Sequence, residues 1–289
     1  MKETTKGKIA IIISAIIWGF GFLWVRFLYD WGYSVSTFIF ANFVFSSLIF
    51  FIILKYKKIK IIPKKSNFKW LISLGIVDAI TALTIIWAFI LTKVAVAEFL
   101  HYTMPLFAFL IAVFWLKEKI TKWKFFALVV AIIGIFLVFD LSFIRNGFSL
   151  TNLGNLLALI SAVSFSLIVV LGRKLKDMSA YATSFWNRII GATILFFFFI
   201  FDNTLKGWQD IPIFFVYALL TSLIPLTLLF YGLKKTEATT GSILLLMEVP
   251  TASILAWVVF SESLNLSIIV GGILIIISAI ILIKRRKNN

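Results

Sequence analysis

Three titratable side chains lie deep inside long apolar stretches of this sequence: Asp78, His101 and Glu248. Ionisable groups at such positions are costly when the stretch lies in a membrane, and they usually line a cavity or pair with one another. A carboxylate there can hold an ammonium group or take up a proton, and a histidine titrates near neutral pH. These residues therefore suggest the binding of a cationic group, with all three as candidates for proton coupling.

Asp78 has two interpretations. It lies nine residues beyond Lys69, near the middle of its apolar run, where a short side chain cannot reach a membrane interface. It either binds a substrate ammonium group or a proton, or it is the structural partner of a buried base. Arg26 and Arg188 are the embedded bases; each can extend toward an interface or pair with an acid, and the sequence leaves this choice open.

His101 is the only histidine of the chain. Glu98, His101, Tyr102 and Pro105 follow the spacing i, i+3, i+4 and i+7, which places them on one face of a helix. An acid, an imidazole and a phenol on one face would form a polar cavity wall, although a lone histidine is often a hydrogen-bonded structural residue. With one histidine and no cysteine, the sequence predicts no metal site, no disulfide and no cofactor.

Glu248 precedes a proline by two residues. Pro250 removes a helical hydrogen bond and leaves a carbonyl that a neighbour or a cavity must satisfy at membrane depth. A carboxylate beside such a break suits cation binding or proton uptake; the alternative is a packing residue hydrogen-bonded to another helix. Pro105 and Pro225 also fall inside apolar runs, and with Pro250 they are predicted hinges or bends.

Aromatic and hydroxyl side chains complete the candidate cavity. Trp18 is too deep in its run to be an interfacial anchor, and an aromatic face attracts organic cations, although packing is the alternative. Ser164 supplies a hydroxyl unless it merely allows close helix packing. The predicted substrate-binding or cavity residues are Trp18, Asp78, His101, Tyr102, Ser164, Tyr231 and Glu248.

Ten apolar runs carry these residues. The chain of 289 residues is 62% hydrophobic with a mean hydropathy of +1.07, too apolar for a soluble domain of this size. Runs of about 20 apolar residues suit spanning helices, and solid runs are not the alternating pattern of a membrane barrel. The sequence predicts helices near Ile9–Leu28, Val35–Leu54, Trp70–Leu91, Ala95–Leu116, Trp123–Asp140, Leu153–Gly172, Tyr181–Phe201, Ile211–Leu233, Thr239–Phe260 and Ser267–Ile283.

Lysine and arginine concentrate in alternate loops and at both ends of the chain. The other five loops carry only Lys93, Arg145 and Lys206. This asymmetry predicts a multi-pass protein of the cell membrane with both termini in the cytoplasm. The net charge of +16 therefore reflects topology and contact with anionic lipid rather than binding of nucleic acid, and the sequence does not define an oligomeric state.

An offset of about 144 residues relates the two halves of the chain. It places Leu100 on Leu244 and Glu118 on Glu262. Because each half has five spans, an odd number, the two halves must have opposite orientations, an architecture of transporters that bind their substrate near the midplane. The fold class is thus an all-α integral membrane protein of ten helices in two inverted five-helix repeats. The predicted repeats are residues 1–146 and 147–289.

Short motifs recur in a fixed order along nearly the whole chain. They are Trp18-Gly19 with Arg26, Pro105 with Glu118, and Glu248-Val249-Pro250 followed by Ser261-Glu262. Together they resemble the EamA-type family of the drug/metabolite transporter superfamily. That family more often has Glu-Pro without an inserted residue and Gly before the last Glu, so the bend at Pro250 is expected to be displaced by one residue. The resemblance implies ten helices and transport of small metabolites.

The sequence predicts a secondary transporter that moves a small molecule, an amino acid or organic amine, across the cell membrane by alternating access. Asp78 and Glu248 would be its charge partners. No Gly-x-x-x-x-Gly-Lys-Ser/Thr phosphate loop is present, so a gradient of protons or of the solute would supply the energy. Two alternatives stay open: a membrane enzyme acting on lipid or isoprenoid substrates, against which the single histidine argues, and a scramblase or channel. No enzymatic activity is expected.

Overall fold

The computed structural model describes residues 3–92, 94–139, 153–261 and 263–284. These residues form helices joined by short turns, and no strand occurs among them. The predicted join between residues 146 and 147 lies outside the described residues, as do Lys93, Arg145, Glu262 and the side chain of Arg26. The boundary between the two repeats therefore stays a prediction.

Fourteen α-helices and one π-helical turn make up ten successive spans within the described residues. Three spans consist of two helices each: the first of α1 and α2, the fourth of α5 and α6, and the ninth of α12 and α13. The eighth span consists of α10, the π turn and α11. The helices are α1 (Glu3–Gly19), α2 (Gly21–Asp30), α3 (Val35–Tyr56), α4 (Lys65–Leu91), α5 (Val94–His101), α6 (Met104–Trp115), α7 (Lys122–Val138), α8 (Leu153–Lys174), α9 (Ala180–Phe201), α10 (Asp210–Ala218), the π turn (Leu219–Leu223), α11 (Ile224–Lys235), α12 (Ala238–Leu245), α13 (Glu248–Phe260) and α14 (Leu266–Lys284).

Nine helical stretches of the described chain are both long and apolar enough to cross a membrane. The fifth span, α7, has 17 residues, which is the lower end of the range that spans a bilayer. Large apolar side chains face outward from the spans, among them Ile133, Phe196 and Ile254, while Ser161 and Ser242 are fully buried. An apolar exterior around small polar residues is the pattern of a membrane protein rather than of a soluble one.

Packing between the spans repeats with a two-fold pattern. The third span packs along the sixth as the eighth packs along the first, and the fourth lies against the sixth as the ninth lies against the first. The second span pairs with the seventh, and the fifth with the tenth. Exchanging every span with the one five positions later maps these contacts onto one another. The predicted arrangement of two inverted five-helix repeats is thus confirmed.

Local backbone features recur at the predicted offset. The fourth span is interrupted at Tyr102 and Thr103 and the ninth at Leu246 and Met247, in each case 144 residues apart. Two left-handed residues, Lys117 and Ser261, end these spans with φ angles of 54° and 55°, again 144 residues apart. Left-handed backbone is uncommon for residues other than glycine, so its recurrence reflects the same chain path in both halves.

Each of the three prolines predicted as bends follows an irregular turn. Pro105 is the second residue of α6, Pro225 the second residue of α11 after the π turn, and Pro250 the third residue of α13. Proline is tolerated at the start of a helix because the amide it lacks would be unpaired there. Each of these prolines thus stands near the start of a helical segment, and its role as a bend or hinge stays a prediction.

Both described ends of the chain lie on one face of the bundle, which we call the terminus face. The Lys8 ammonium group donates a hydrogen bond to the carbonyl of Leu282, two residues before the end of α14. An even number of spans requires this placement. We call the opposite side the distal face.

Candidate functional site

The interruptions of the fourth and ninth spans bring polar side chains together at mid-depth. The Tyr102 hydroxyl faces the Glu248 carboxylate, and Glu98 lies close enough for its charge to act on both. Glu248 is the first residue of α13, directly after the break, and is half-buried. We call Glu98, His101, Tyr102 and Glu248 the central cluster.

The sixth span orients His101. Its Nδ1 atom lies 2.8 Å from the Ser161 hydroxyl, which lies 2.6 Å from the carbonyl of Ala158. A serine hydroxyl has one proton, and with that proton directed at Ala158 we assign Nδ1 as the donor to Ser161. In the neutral imidazole Nε2 is then the acceptor. In this tautomer Nε2 can accept a hydrogen bond while Nδ1 keeps its contact with Ser161.

Aromatic rings connect this cluster to the first span. Phe165 lies edge-on to His101, with centroids 5.4 Å apart, and edge-on to Trp18 at 6.0 Å. Trp18 also donates its indole N–H to the carbonyl of Thr221 at 2.8 Å. Pro225 has no N–H to offer to this carbonyl four residues earlier, so Trp18 satisfies a group that the proline leaves unpaired.

The π turn of the eighth span is held by polar residues that the sequence analysis did not identify. The Asn42 side-chain amide donates to the Thr221 hydroxyl at 2.7 Å, and the Ser222 hydroxyl donates to the Asn42 carbonyl oxygen. The signal in the sequence is an asparagine within a solidly apolar run. Ser14 adds a further tie, donating to the carbonyl of Pro225 at 2.8 Å.

Asp78 lies elsewhere, between the third and seventh spans. Its Oδ2 atom is 3.2 Å from Nη1 of Arg188, and the Arg188 guanidinium lies 4.0 Å from the ring centre of Phe43. Asp78 and Arg188 are 8% and 6% exposed. Close approach of the two helices depends on Gly75, where an added Cβ would lie 2.5 Å from Ile190. Of the two interpretations, the geometry supports the structural pair; the substrate or proton role stays a prediction.

Two further predicted cavity residues point away from the central cluster. Ser164 hydrogen-bonds to the Thr81 hydroxyl at 2.8 Å and ties the sixth span to the third. Tyr231 lies one turn from the terminus face, where its hydroxyl accepts a hydrogen bond from Lys235, which also pairs with Glu3. The structure thus unites Trp18, His101, Tyr102 and Glu248, and places Asp78, Ser164 and Tyr231 in separate contacts.

Glu118 joins the two halves of the bundle at the terminus face. Its carboxylate accepts hydrogen bonds from the backbone N–H groups of Ala238 and Thr239, at 2.7 and 3.0 Å, and from the Thr239 hydroxyl at 2.7 Å. Beside it, the buried Lys124 pairs with Glu237 at 2.7 Å. A carboxylate at a helix N-terminus satisfies unpaired amides and the helix dipole. The sequence identified Glu118 as a motif residue but not as this cap.

In the ranges that the structure describes, no three His, Cys, Asp or Glu residues lie close enough to hold a metal ion. The polar groups of the central cluster are instead suited to hydrogen bonding, proton exchange and attraction of a cation.

The sequence profile of the EamA-like transporter family matches residues 5–140 and, a second time, residues 152–284. The chain belongs to the EamA-like transporter family. The two matches cover the two halves of the bundle, in agreement with the repeat and with the resemblance noted from the motifs. It is therefore a multi-pass membrane protein of a transporter family.

Relatives of this EamA-like transporter extend over most of its length. It is 24% identical over 280 residues to an "Uncharacterized transporter" of Archaeoglobus fulgidus, covering 95% of both chains. It is 26% identical to an "Uncharacterized transporter" of Clostridium kluyveri, covering 81% and 78%. Human "Solute carrier family 35 member G1" is 26% identical over 64% of this chain and 52% of its own. A solved structure titled "Crystal structure of protein" shares the fold, with a TM-score of 0.76, 16% identity and 94% of each chain covered.

Proposed function

We propose that this EamA-like transporter is a secondary carrier of small solutes that bear an amine, an organic amine or amino acid, and that Glu248 binds the ammonium group. One observation carries the proposal: Glu248 is a half-buried carboxylate at a mid-span helix break, facing Tyr102. No salt bridge joins it to a lysine or arginine side chain among those that the structure describes.

The physical reason is the cost of an unpaired charge at this depth. A carboxylate removed from water needs a counter-charge or several hydrogen bonds, and a second acid, Glu98, adds repulsion. A cationic solute would relieve both. The neighbouring rings of Trp18, Phe165 and Tyr102 offer faces and edges for the apolar part of the solute, and cation–π attraction favours an ammonium group.

Protons would compete with the solute for the same carboxylate. A protonated Glu248 attracts an ammonium group far less, so proton uptake from one side would release the solute there. His101, with Nε2 as its acceptor, is the second group that can carry the proton. Asp78 stays a third candidate, but Arg188 already balances its charge, and we assign it a positioning role.

Alternating access requires that one face be closed while the site is reached from the other. The Glu118 cap on α12 joins the loop after the fourth span to the start of the ninth span. We assign the described conformation to a state closed at the terminus face, with the cap breaking when that face opens. Following the charge asymmetry of the loops, we place the terminus face in the cytoplasm of a cell membrane.

The test is uptake into proteoliposomes of labelled amines, of amino acids and of matched solutes without an amine, with and without a pH gradient. Saturable uptake of the amine-bearing solutes alone, lost in Glu248→Gln and retained in the exposed-loop control Asp177→Asn, is the expected result. Equal uptake of solutes without an amine, or full activity of a folded Glu248→Gln protein, would contradict the proposal.

A further inference from the structure

An open groove of about 790 Å³ lies at the terminus face beside the connection between the second and third spans. Its walls come from this connection, the first turns of α4, and α9. Ile62, Phe68 and Ile72 line it and are 74%, 44% and 36% exposed. An apolar concavity of this size on the outside of a protein is a binding surface, because filling it with water is unfavourable.

Contacts with the seventh span hold the groove in shape. The Trp186 indole N–H donates to the carbonyl of Ile61 at 2.9 Å, and the Trp186 ring lies edge-on to Phe68, with centroids 5.9 Å apart. Lys57 extends over the ring of Tyr181 at 5.8 Å. The connection is therefore fixed across the end of α9, so the groove is a built feature rather than a gap under a free loop.

The positive charge of the groove indicates an anionic ligand. Residues 55–69 contain seven lysines and no acidic residue. Two of these lysines, Lys65 and Lys69, line the groove itself together with the hydroxyl of Ser66. Lys69 and Lys174 also lie over the ring of Trp70, at 4.7 and 4.6 Å, and such tryptophan–lysine layers mark the headgroup level of a membrane.

We propose that this groove binds one anionic phospholipid, with its phosphate beside Lys65 and Lys69 and an acyl chain against Phe68, Ile72 and Trp186. Apolar walls match the chain, and the lysines match the headgroup. Positive residues near an anionic surface each contribute about a factor of five to binding. Such a lipid would fix the connection between the second and third spans to the seventh span. This inference is independent of the proposed solute and of the direction of transport.

The test is native mass spectrometry of the purified full-length protein with equal amounts of phosphatidylglycerol and phosphatidylcholine. The wild type is expected to retain one phosphatidylglycerol in preference. Lys65→Gln with Lys69→Gln should weaken this retention about 25-fold, since two lysine contributions are lost. Both lysines are exposed, so the fold should persist. Lys122→Gln with Lys284→Gln removes the same charge from the same face and should leave retention unchanged.

A second variant separates a groove from diffuse surface charge. Ile72→Trp fills the apolar part without changing charge and should also abolish the retained phosphatidylglycerol. Three results would overturn the proposal: equal retention of both lipids by the wild type, equal loss in the Lys122/Lys284 control, or undiminished retention in Ile72→Trp.

Discussion

Asp78 and Glu248 both lie at mid-depth in this bundle, and their surroundings differ. Asp78 is bound to Arg188 on a neighbouring span, and that arginine is itself packed on Phe43. Glu248 stands at a helix break with Tyr102 in front of it and the charge of Glu98 nearby. The counter-charge of Asp78 is part of the protein, whereas no described lysine or arginine side chain forms a salt bridge with Glu248. The comparison distinguishes a charge that stabilises helix packing through an ion pair from a charge that can bind a cationic ligand.

The same comparison explains why burial alone does not identify a binding site. Both acids are predicted from the sequence on the same grounds of depth and cost, yet a buried ion pair holds two helices together only while both partners remain. A group that binds and releases a cation must instead be open to exchange. Glu248 is the first residue after a helix break and is half-buried, and the exchange of a cation at this position is part of the proposal above.

The largest expected effect is on stability at the paired acid. Asp78→Asn leaves the buried Arg188 charge without its partner and should destabilise the protein by about 3 kcal/mol or more. Thermal unfolding in detergent measures this. Replacing both partners, as Asp78→Leu with Arg188→Met, should recover most of the loss because no charge is then left unpaired. A fully stable Asp78→Asn protein that has lost all transport would break the comparison, since Asp78 would then be the functional acid.

The unpaired acid should behave in the opposite way. Glu248→Gln should keep the unfolding temperature of the wild type but lose the stabilisation that a bound amine gives, which is about 2–3 kcal/mol at a solute concentration of 100 Kd. Unfolding scans with and without the solute test this, with Asp177→Asn as the control that retains the shift. A Glu248→Gln protein that is still stabilised by the amine would show that the solute binds elsewhere.

Features of the fold and of the site could be predicted from the sequence where they depend on residues close together along the chain. The ten spans and the offset of 144 residues follow from apolar runs and local motifs, which are visible in one dimension. The breaks at Tyr102 and at Leu246 were indicated by the prolines that follow them. These features are local because a helix satisfies its own backbone and a proline disturbs only the preceding turn.

The hydrogen-bond and ion-pair partners of the buried polar residues could not be predicted, because they depend on which helices pack side by side. From the sequence, Arg188 could either extend to a membrane interface or pair with an acid. The packing of the third and seventh spans places it beside Asp78. Tyr231 was expected in the cavity, yet it lies one turn before Lys235, whose ammonium group donates a hydrogen bond to the Tyr231 hydroxyl. Asn42 was missed because its role depends on the π turn of a distant span.

Glu118 is a third kind of carboxylate, because its hydrogen-bond partners lie on the other half of the protein. Removing its hydrogen bonds to α12 by Glu118→Ala should shift the equilibrium toward opening of the terminus face by about 1.5 kcal/mol, roughly tenfold. The chain has no cysteine, so Ser242→Cys, at a fully buried position in α12, gives a single reporter. Its labelling rate should rise about tenfold with Glu118→Ala and stay constant with the exposed neighbour Lys119→Ala. An unchanged rate would mean that the cap does not hold the face closed.

Asp210, near the distal face, is a buried carboxylate satisfied by neutral donors. It accepts hydrogen bonds from the Tyr33 hydroxyl at 2.5 Å and from the backbone N–H groups of Lys206 and Gly207, at 2.5 and 3.3 Å. Burial, together with the Asp210 hydrogen bond and charge, raises the pKa of Tyr33 to about 12. The phenol therefore stays protonated in the folded protein at a pH where the unfolded chain, with a tyrosine pKa near 10, has begun to ionise.

The smallest predicted effect follows from this shift. Since the folded pKa is the higher one, the contribution of Tyr33 to stability is complete below pH 10 and is lost as the pH rises from 10 to 12. Tyr33→Phe should cost about 1 kcal/mol at pH 8 and progressively less above pH 10. Unfolding curves between pH 8 and 12 should converge for these two proteins, while the exposed control Tyr29→Phe follows the wild type throughout. Parallel curves would mean that Asp210 is held without Tyr33, by the backbone amides and the nearby charge of Lys206.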